Sequence, residues 1–503
     1  MGEISNLCKA LRPLLEAIIS RPILAVTLFA AAQIVAWTAA PALSHSAPPL
    51  DVVESYLWGQ EWVVGTFKHP NMPGWALEIS RELTGAVGWP AYLVSQGFVA
   101  ATYIAVFCLG REMMDERRAL AGTLLLAGIF YFTWPTIEFN HNVAQMPFWA
   151  AVAWLVWRLR TRPQSLVWAV LGAVAAASLY AKLSSGLLLL VAGLWILGDP
   201  MLRRQLARPA PWIGLAVFII AAAPLFLWLL RAHFGPLLYA AERSSGAGEG
   251  PLGFIFAQGL ACLGLLALAA MAGLFGPRGD AHDEVLVPPP AVATAFLAVM
   301  TLAPMGITAL AAAVAGAGLK SMWGSPMLGL AGLLTVALTS ARVTSRSLGR
   351  LAIAVGVLLI ALPAGYALDI RYESRFTGKP KRQNWPQVAI AARFDQIWRA
   401  KTGQPLKIVA GERWIAGLVA LRPGPMPSIL TDGDQKLSPW VTPGRLAQQG
   451  ALLVWEQKTP NDPPPGGLVA LKGAVPGGSE RFSAPLFPDA QPLLIGYAFV
   501  PPG

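Results

Sequence analysis

Roughly eleven stretches of about 20 mostly apolar residues recur along this 503-residue chain, and that is the length an α-helix needs to cross a bilayer. Their centres lie near residues 30, 98, 125, 150, 173, 192, 220, 262, 302, 333 and 358, and the spans before and after Lys182 nearly touch. Only 13% of the residues are charged, against about 25% in soluble domains. A chain so poor in charge cannot clothe a water-facing surface over most of its length. The expected fold is a polytopic α-helical membrane protein with about 11 transmembrane helices, followed by a small C-terminal α/β domain outside the cytoplasm.

The net charge of +11 does not indicate nucleic acid as a partner. The basic residues form no single stripe; they stand in short arginine groups between apolar runs, the distribution of a positive-inside membrane protein. With the N-terminus inside, sixteen lysines and arginines fall to the cytoplasm. Six fall to the outer loops before the C-terminal domain: Lys68, Arg81, Lys182, Arg231, Arg243 and Lys320. An odd number of spans then places everything after about Asp369 outside, in the periplasm if the membrane is a bacterial inner membrane. The three cysteines, Cys8, Cys108 and Cys262, lie in or beside apolar segments, so neither a disulfide framework nor a cysteine zinc site is expected.

The residues divide into a cytoplasmic N-terminus (1–21), a membrane domain (22–368) and an outer domain (369–503). LCKALRPLLEAII reads as an interfacial amphipathic helix with Lys9 and Arg12 on its polar face. TAAPALSHSA resembles a signal-peptidase site, but the apolar run before it is too long for a secretory signal, so it reads as an uncleaved first span. The first outer loop, 41–85, is far longer than a hairpin link, and its apolar positions predict a helix lying along the membrane face. Beyond Arg371 amphipathic helices alternate with short apolar strands (LKIVAG, PSILTDG, ALLVWEQ), which predicts a largely parallel sheet. The Pro- and Gly-rich remainder from Lys458 reads as irregular loops.

The polar residues that interrupt this pattern gather on the outer side. Asp51 and Glu54, at i and i+3, share one helical face. They read either as an acidic centre able to act as general base or metal ligand or as a capping box with Asp51 at the N-cap. In EFNHN, Glu138, Asn140, His141 and Asn142 interrupt an apolar stretch, and its Glu and His suit either a divalent cation or sugar hydroxyls; a solvated turn is the plainer reading. Lys68 and His69, in KHPNMPGW, suit a phosphate or simply a Pro-punctuated loop. Lys182 and Lys320 are isolated cations at the outer ends of spans, where they are either functional or snorkelling. Arg243 and Arg371 extend the same basic collar. Trp58 offers a face for a sugar or an interfacial anchor. No Walker A, dinucleotide or HExxH motif is present, so an activated substrate would come from a lipid phosphate.

Taken in order, DVVESYLWGQEWVVGTFKHPNMPGW, EFNHNVAQMPFW, LYAKLSSG and APLFLWLLRAHFGPLLYAAERSS resemble the membrane glycosyltransferases of the GT-C fold. The resemblance is to family 39-like bacterial enzymes, which are similar to protein O-mannosyltransferases, the lipid A aminoarabinose transferase and the rhizobial lipid A galacturonosyltransferases. The chain departs from them in two places. The adjacent acidic pair of the mannosyltransferases is split into Asp51 and Glu54, and the KHPP of such loops is KHPN, with Asn71 in place of a proline.

The resemblance implies transfer of a sugar from a polyprenyl-phosphate donor to a lipid, glycan or protein acceptor at the outer face of the membrane, by inverting displacement. Asp51 would be the base or acceptor-orienting carboxylate, supported by Glu54 and Glu138. Lys182, Lys320, Arg243 and Arg371 would neutralise the leaving phosphate, and Lys68, His69, Trp58, Asn140 and His141 would bind substrate. Partners would be the lipid-linked donor, the acceptor and membrane lipid; no definite cofactor is implied, and a divalent cation is admitted at Glu138. The competing class is a transporter or flippase of a lipid-linked sugar, which calls for ionisable groups at mid-membrane and repeat symmetry.

Overall fold

The computed structural model describes residues 13, 17–245, 248–275, 289–339, 343–460 and 462–503. Most of the amphipathic N-terminus, with Lys9, Arg12 and Cys8, lies outside the described residues. Among those described, seven helices are long and apolar enough to cross a membrane: Pro22–Ser44, Trp89–Met113, Pro209–Arg231, Pro251–Met271, Ala291–Ala315, Ser321–Leu338 and Ser345–Thr377. Two bent pairs raise the number to nine, Glu116–Gly128 with Phe130–Ile137 (89°) and Ser185–Gly198 with Pro200–Ala207 (83°). Among the described residues the candidates by length and composition are thus seven to nine, against the approximate eleven read from the sequence. Ser165–Ala181 is a shorter apolar helix, and His141–Thr161 is polar where it begins and carries Arg158 and Arg160 in its last turn.

The chain separates into two compact units, one comprising 1–37, 95–137 and 141–363, the other 38–94, 138–140 and 364–503. In the first, helices meet at glycine, because without lipid-excluded hydrophobic force it is close backbone approach that joins them. A Cβ at Gly172 would stand 2.1 Å from the Gly214 carbonyl oxygen, and one at Gly332 would stand 2.0 Å from that of Gly122. Buried amides add polar links: Gln33 Nε2 donates to Gln96 Oε1 at 3.1 Å and to the Phe132 carbonyl at 3.2 Å, and Gln96 Nε2 donates to Thr136 Oγ1 at 3.0 Å. The bend before Pro200 has a local cause. Asp199 caps the new helix, accepting the N–H groups of Met201 and Leu202 at 2.8 and 3.1 Å, and Pro200 at its first position lacks the N–H that would continue the old one.

The second unit unites the first outer loop with the C-terminal domain. Its five-stranded sheet has the order β2-β1-β3-β5-β4. Strands β1 (Ile408–Gly411), β2 (Ser428–Thr431) and β3 (Ala451–Gln457) are parallel as predicted. Strand β5 (Leu493–Val500) runs antiparallel to β3, and β4 (Val475–Phe482) antiparallel to β5, so the region after Lys458 is not merely irregular loop. LLIGYAFV is a buried apolar run bounded by turns, a signal for a core strand; VPGGSERF is exposed along most of its length and carries no such pattern.

The first loop contributes two helices, Leu50–Gly59 and Met72–Thr84. The first was expected along the membrane face, and in the structure Val52 through Gly59 are all buried. Two glycines permit this. A Cβ at Gly59 would lie 2.2 Å from the Gly74 carbonyl oxygen, so the two helices cross at their backbones, and a Cβ at Gly417 would lie 2.3 Å from Val53 Cγ1. The helix Arg413–Ala420 thus covers the face expected to meet lipid. Asn71 ties the loop between them: its Nδ2 donates to the Trp58 carbonyl at 2.9 Å and to the Val63 carbonyl at 3.1 Å, bonds that a proline cannot make.

Candidate functional site

The helix Leu50–Gly59 begins one residue before Asp51, with Pro49 at the N-cap and no side-chain cap. The capping-box reading of Asp51 and Glu54 is thereby overturned: proline has entered the helix boundary first, and Asp51 stands inside the first turn. Its cap comes from elsewhere in the chain. Glu138 Oε1 accepts the Asp51 backbone N–H at 2.9 Å, and Asn140 Nδ2 donates to Asp51 Oδ2 at 3.0 Å. EFN is therefore not a solvated turn; Glu138 and Asn140 are where the second loop meets the first.

Burial and the neighbouring Asp51 push the Glu138 carboxyl up to about 7, with its bond to the Asp51 N–H opposing. Two carboxyls share one helix N-terminus, one of them placed to exchange a proton near neutral pH, which is the condition for general acid–base work.

One turn on, Glu54 is 4% exposed and takes Lys68 Nζ on both oxygens at 2.9 Å. It also takes Arg413 Nη1 on Oε1. Burial raises its pKa while the two cations oppose the rise. The Lys68 ammonium lies 5.6 Å from the centroid of the Trp58 ring, and Trp58 is itself buried. Trp58 thus serves as the floor under Lys68. His69 closes the turn, its carbonyl accepting the Thr66 N–H at 2.9 Å. Arg371 is exposed and donates to the Leu43 carbonyl at 3.0 Å.

The other expected cations belong to the first unit. Lys182 Nζ donates to Asn142 Oδ1 at 2.5 Å and stands 5.9 Å from the Trp323 ring centroid. Lys320 occupies the N-cap position of the short 3₁₀ segment carrying Trp323. His141 is buried at the start of its helix, and Arg243 is exposed near the end of Gly235–Ser245. A cavity of 710 Å³ is lined by Ser244, Ser245, Leu319 and Trp323 among others.

Three residues of the second unit escaped the sequence reading. Arg413 is one. Arg382 lies over the Trp414 ring at 5.6 Å, and its charge holds down the Glu138 pKa. His45 is half-buried between two tyrosines, its Nδ1 2.7 Å from Tyr92 Oη and its Nε2 2.6 Å from Tyr366 Oη. Burial pushes its pKa down to about 3, so the ring is neutral. Nothing in local spacing links these groups to Asp51; only the run of basic and aromatic residues around 382 and 413 hints at a role. Among the described residues no group of three or more His, Cys, Asp and Glu side chains is gathered for a metal ion.

Residues 68–228 match the family described as dolichyl-phosphate-mannose-protein mannosyltransferase. No curated protein sequence matches the chain. Among solved structures the chain is similar to ArnT of Cupriavidus metallidurans, solved bound to undecaprenyl phosphate, with a TM-score of 0.59 at 14% identity over 94% of this chain and 97% of that one. A weaker likeness is to the archaeal oligosaccharyltransferase AglB of Archaeoglobus fulgidus, with a TM-score of 0.35 at 11% identity over 86% and 69%. Residues 68–228 thus share a segment with that mannosyltransferase family, and the chain as a whole has the multi-pass fold of ArnT.

Proposed function

We propose that this enzyme moves a sugar from a polyprenyl-phosphate donor to a lipid, glycan or protein acceptor at the outer face of a bacterial cytoplasmic membrane, with the N-terminus inside and the C-terminal domain in the periplasm. The observation that carries the reading is the Asp51–Glu138 pair beside the Glu54–Lys68 ion pair. It sets two carboxyls, one of them raised by burial, next to a lysine suited to a phosphate. The resemblance to a protein bound to undecaprenyl phosphate supports the donor class, and the excess of basic residues on one side of the spans supports the orientation.

In this mechanism the acceptor oxygen attacks the anomeric carbon from the face opposite the phosphate. The C1–O bond to phosphate breaks, and its electron pair goes to the phosphate oxygen. The acceptor proton passes to Asp51, from which Glu138 relays it; an acceptor that is itself an ionised phosphate brings no proton, and Asp51 then orients it. Lys68 meets the charge gained by the leaving phosphate, the electrostatic help such a departure needs. Lys182 and Lys320 are retained as anion-binding residues of the first unit, to be tested by their own alanine variants.

The test compares membrane glycolipids by mass spectrometry in a deletion strain complemented by the wild type or by Asp51→Asn at matched expression. A glycolipid lost on deletion and restored by the wild type alone supports the transferase and names its sugar and acceptor. Restoration by both moves the base away from Asp51. Restoration by neither, with lipid-linked sugar accumulating on the inner leaflet, favours a flippase.

A further inference from the structure

Glu54 is an almost wholly buried carboxylate with two cations on it, one from its own loop and one from the C-terminal domain 359 residues away. The two cations are not equivalent. Lys68 is a point charge on a flexible stem, whereas Arg413 is planar and permanently charged. Arg413 is also the better anchored. It opens the helix Arg413–Ala420, whose N-cap Glu412 accepts the N–H groups of Trp414 and Ile415 at 2.8 and 3.4 Å, and that helix is seated on Val53 through Gly417. A buried carboxylate stripped of every counter-ion is strongly unfavourable, so Lys68 can leave Glu54 only if another cation stays.

Resting on the polyprenyl-phosphate reading above, we propose that Arg413 is a positioning residue for sugar transfer: it remains as the counter-ion of Glu54 while the Lys68 ammonium swings from that carboxylate to the donor phosphate. The C-terminal domain then takes part in the chemistry through the first loop, without touching the reacting atoms. When the C1–O bond breaks and its electron pair settles on the phosphate oxygen, the charge gained there is met by Lys68, and the charge left behind on Glu54 is met by Arg413. The other charged groups around the pair are the acids Asp51 and Glu138, near Glu54, and Glu412 and Asp432, near Arg413. One further cation, Arg382, lies over the Trp414 ring and its charge acts on Glu138, whereas Arg413 bonds Glu54 itself.

The experiment uses the full chain in nanodiscs as wild type, Arg413→Gln and Arg413→Lys. Its readouts are melting temperature, kcat and KM for the donor, the Kd for undecaprenyl phosphate, and the pH profile. Arg413→Gln is expected to lose at least tenfold in kcat/KM and to bind undecaprenyl phosphate correspondingly more weakly. Its acid limb moves to higher pH, since a carboxylate with one cation fewer ionises later. Arg413→Lys recovers most of the loss. Wild-type kcat/KM, Kd and pH profile in Arg413→Gln overturn the proposal, as does a loss that only tracks the lowered melting temperature and is not relieved by lysine. If Arg413→Gln alone does not fold, it is made together with Glu54→Gln, which removes the buried charge that needs a counter-ion: no further loss of undecaprenyl phosphate binding beyond Glu54→Gln supports the proposal, and a further tenfold loss overturns it. A wild type that transfers no sugar sinks the functional reading instead, whatever the variants do.

Discussion

Glu138 caps the helix of Asp51: an oxygen from the loop before His141 accepts the Asp51 backbone N–H at 2.9 Å, 87 residues away in the chain. The bond fixes two acids from different loops at one helix end, where the helix dipole favours negative charge. It also makes the two separable by experiment, because an amide can keep the bond while removing the charge.

Replacing Asp51 by Asn keeps its size and the helix start while removing a carboxylate. Sugar transfer is expected to fall about 10²–10⁴-fold, the contribution typical of a general base. The melting temperature should stay within a few degrees of wild type. Initial rates in nanodiscs and a thermal scan of the same samples check both.

Glu138→Gln retains an acceptor for the Asp51 N–H but has no proton to lose. In the wild type the folded state holds the Glu138 proton up to about 7, against an ordinary value of 4.5. The folded form therefore binds more protons than the unfolded form between those values, and stability falls as pH rises through that window. The difference in melting temperature between wild type and Glu138→Gln should shrink or change sign from pH 4.5 to 7 and level off above it. A difference that is flat with pH across this range counts against the raised value.

Gly417→Ala places a methyl 2.3 Å from Val53 Cγ1, and Val53 is fully buried and β-branched. Overpacking of this kind costs about 1–3 kcal/mol. Val53→Ala in the same chain should recover a substantial part of that cost, so a double-mutant cycle on denaturation midpoints reads a favourable coupling. Additivity of the two changes would mean that the helices do not meet there.

Asn71→Pro restores the KHPP of related loops at the expense of this chain's own hydrogen bonds. It removes the donations to the Trp58 and Val63 carbonyls and the backbone N–H bond to Val64 at 3.0 Å. At about 1 kcal/mol for each bond, a loss of about 2–3 kcal/mol is expected. Limited proteolysis between Trp62 and Pro70 should quicken with it.

Much of the fold is legible in the residues because its causes are local. Twenty apolar residues in a row must cross a membrane or be buried, and alternating helix and strand patterns declare β1 to β3. The same locality explains the misses. Pro49 and Asp51 compete for one cap, and spacing alone does not say that proline wins. The helix Leu50–Gly59 shows an amphipathic pattern that suits lipid or protein equally; that it is protein follows from Gly417, which no local pattern marks. Arg413 and Arg382 are ordinary basic residues of a soluble domain until the topology brings them to Glu54 and Glu138. Strand β4, exposed and glycine-rich, is held by its pairing with β5 and not by its own composition.

Residues 138–140 are the shortest piece of the second unit, flanked on both sides by residues that fold with the first. The chain bends by 89° between Glu116–Gly128 and Phe130–Ile137 and starts a helix at His141, immediately after residue 140. Both residues that meet Asp51 from this tripeptide, Glu138 and Asn140, stand two positions apart. A residue inserted between them would move one bond out of step with the other, so the tripeptide acts as a fixed-length ruler for the second acid.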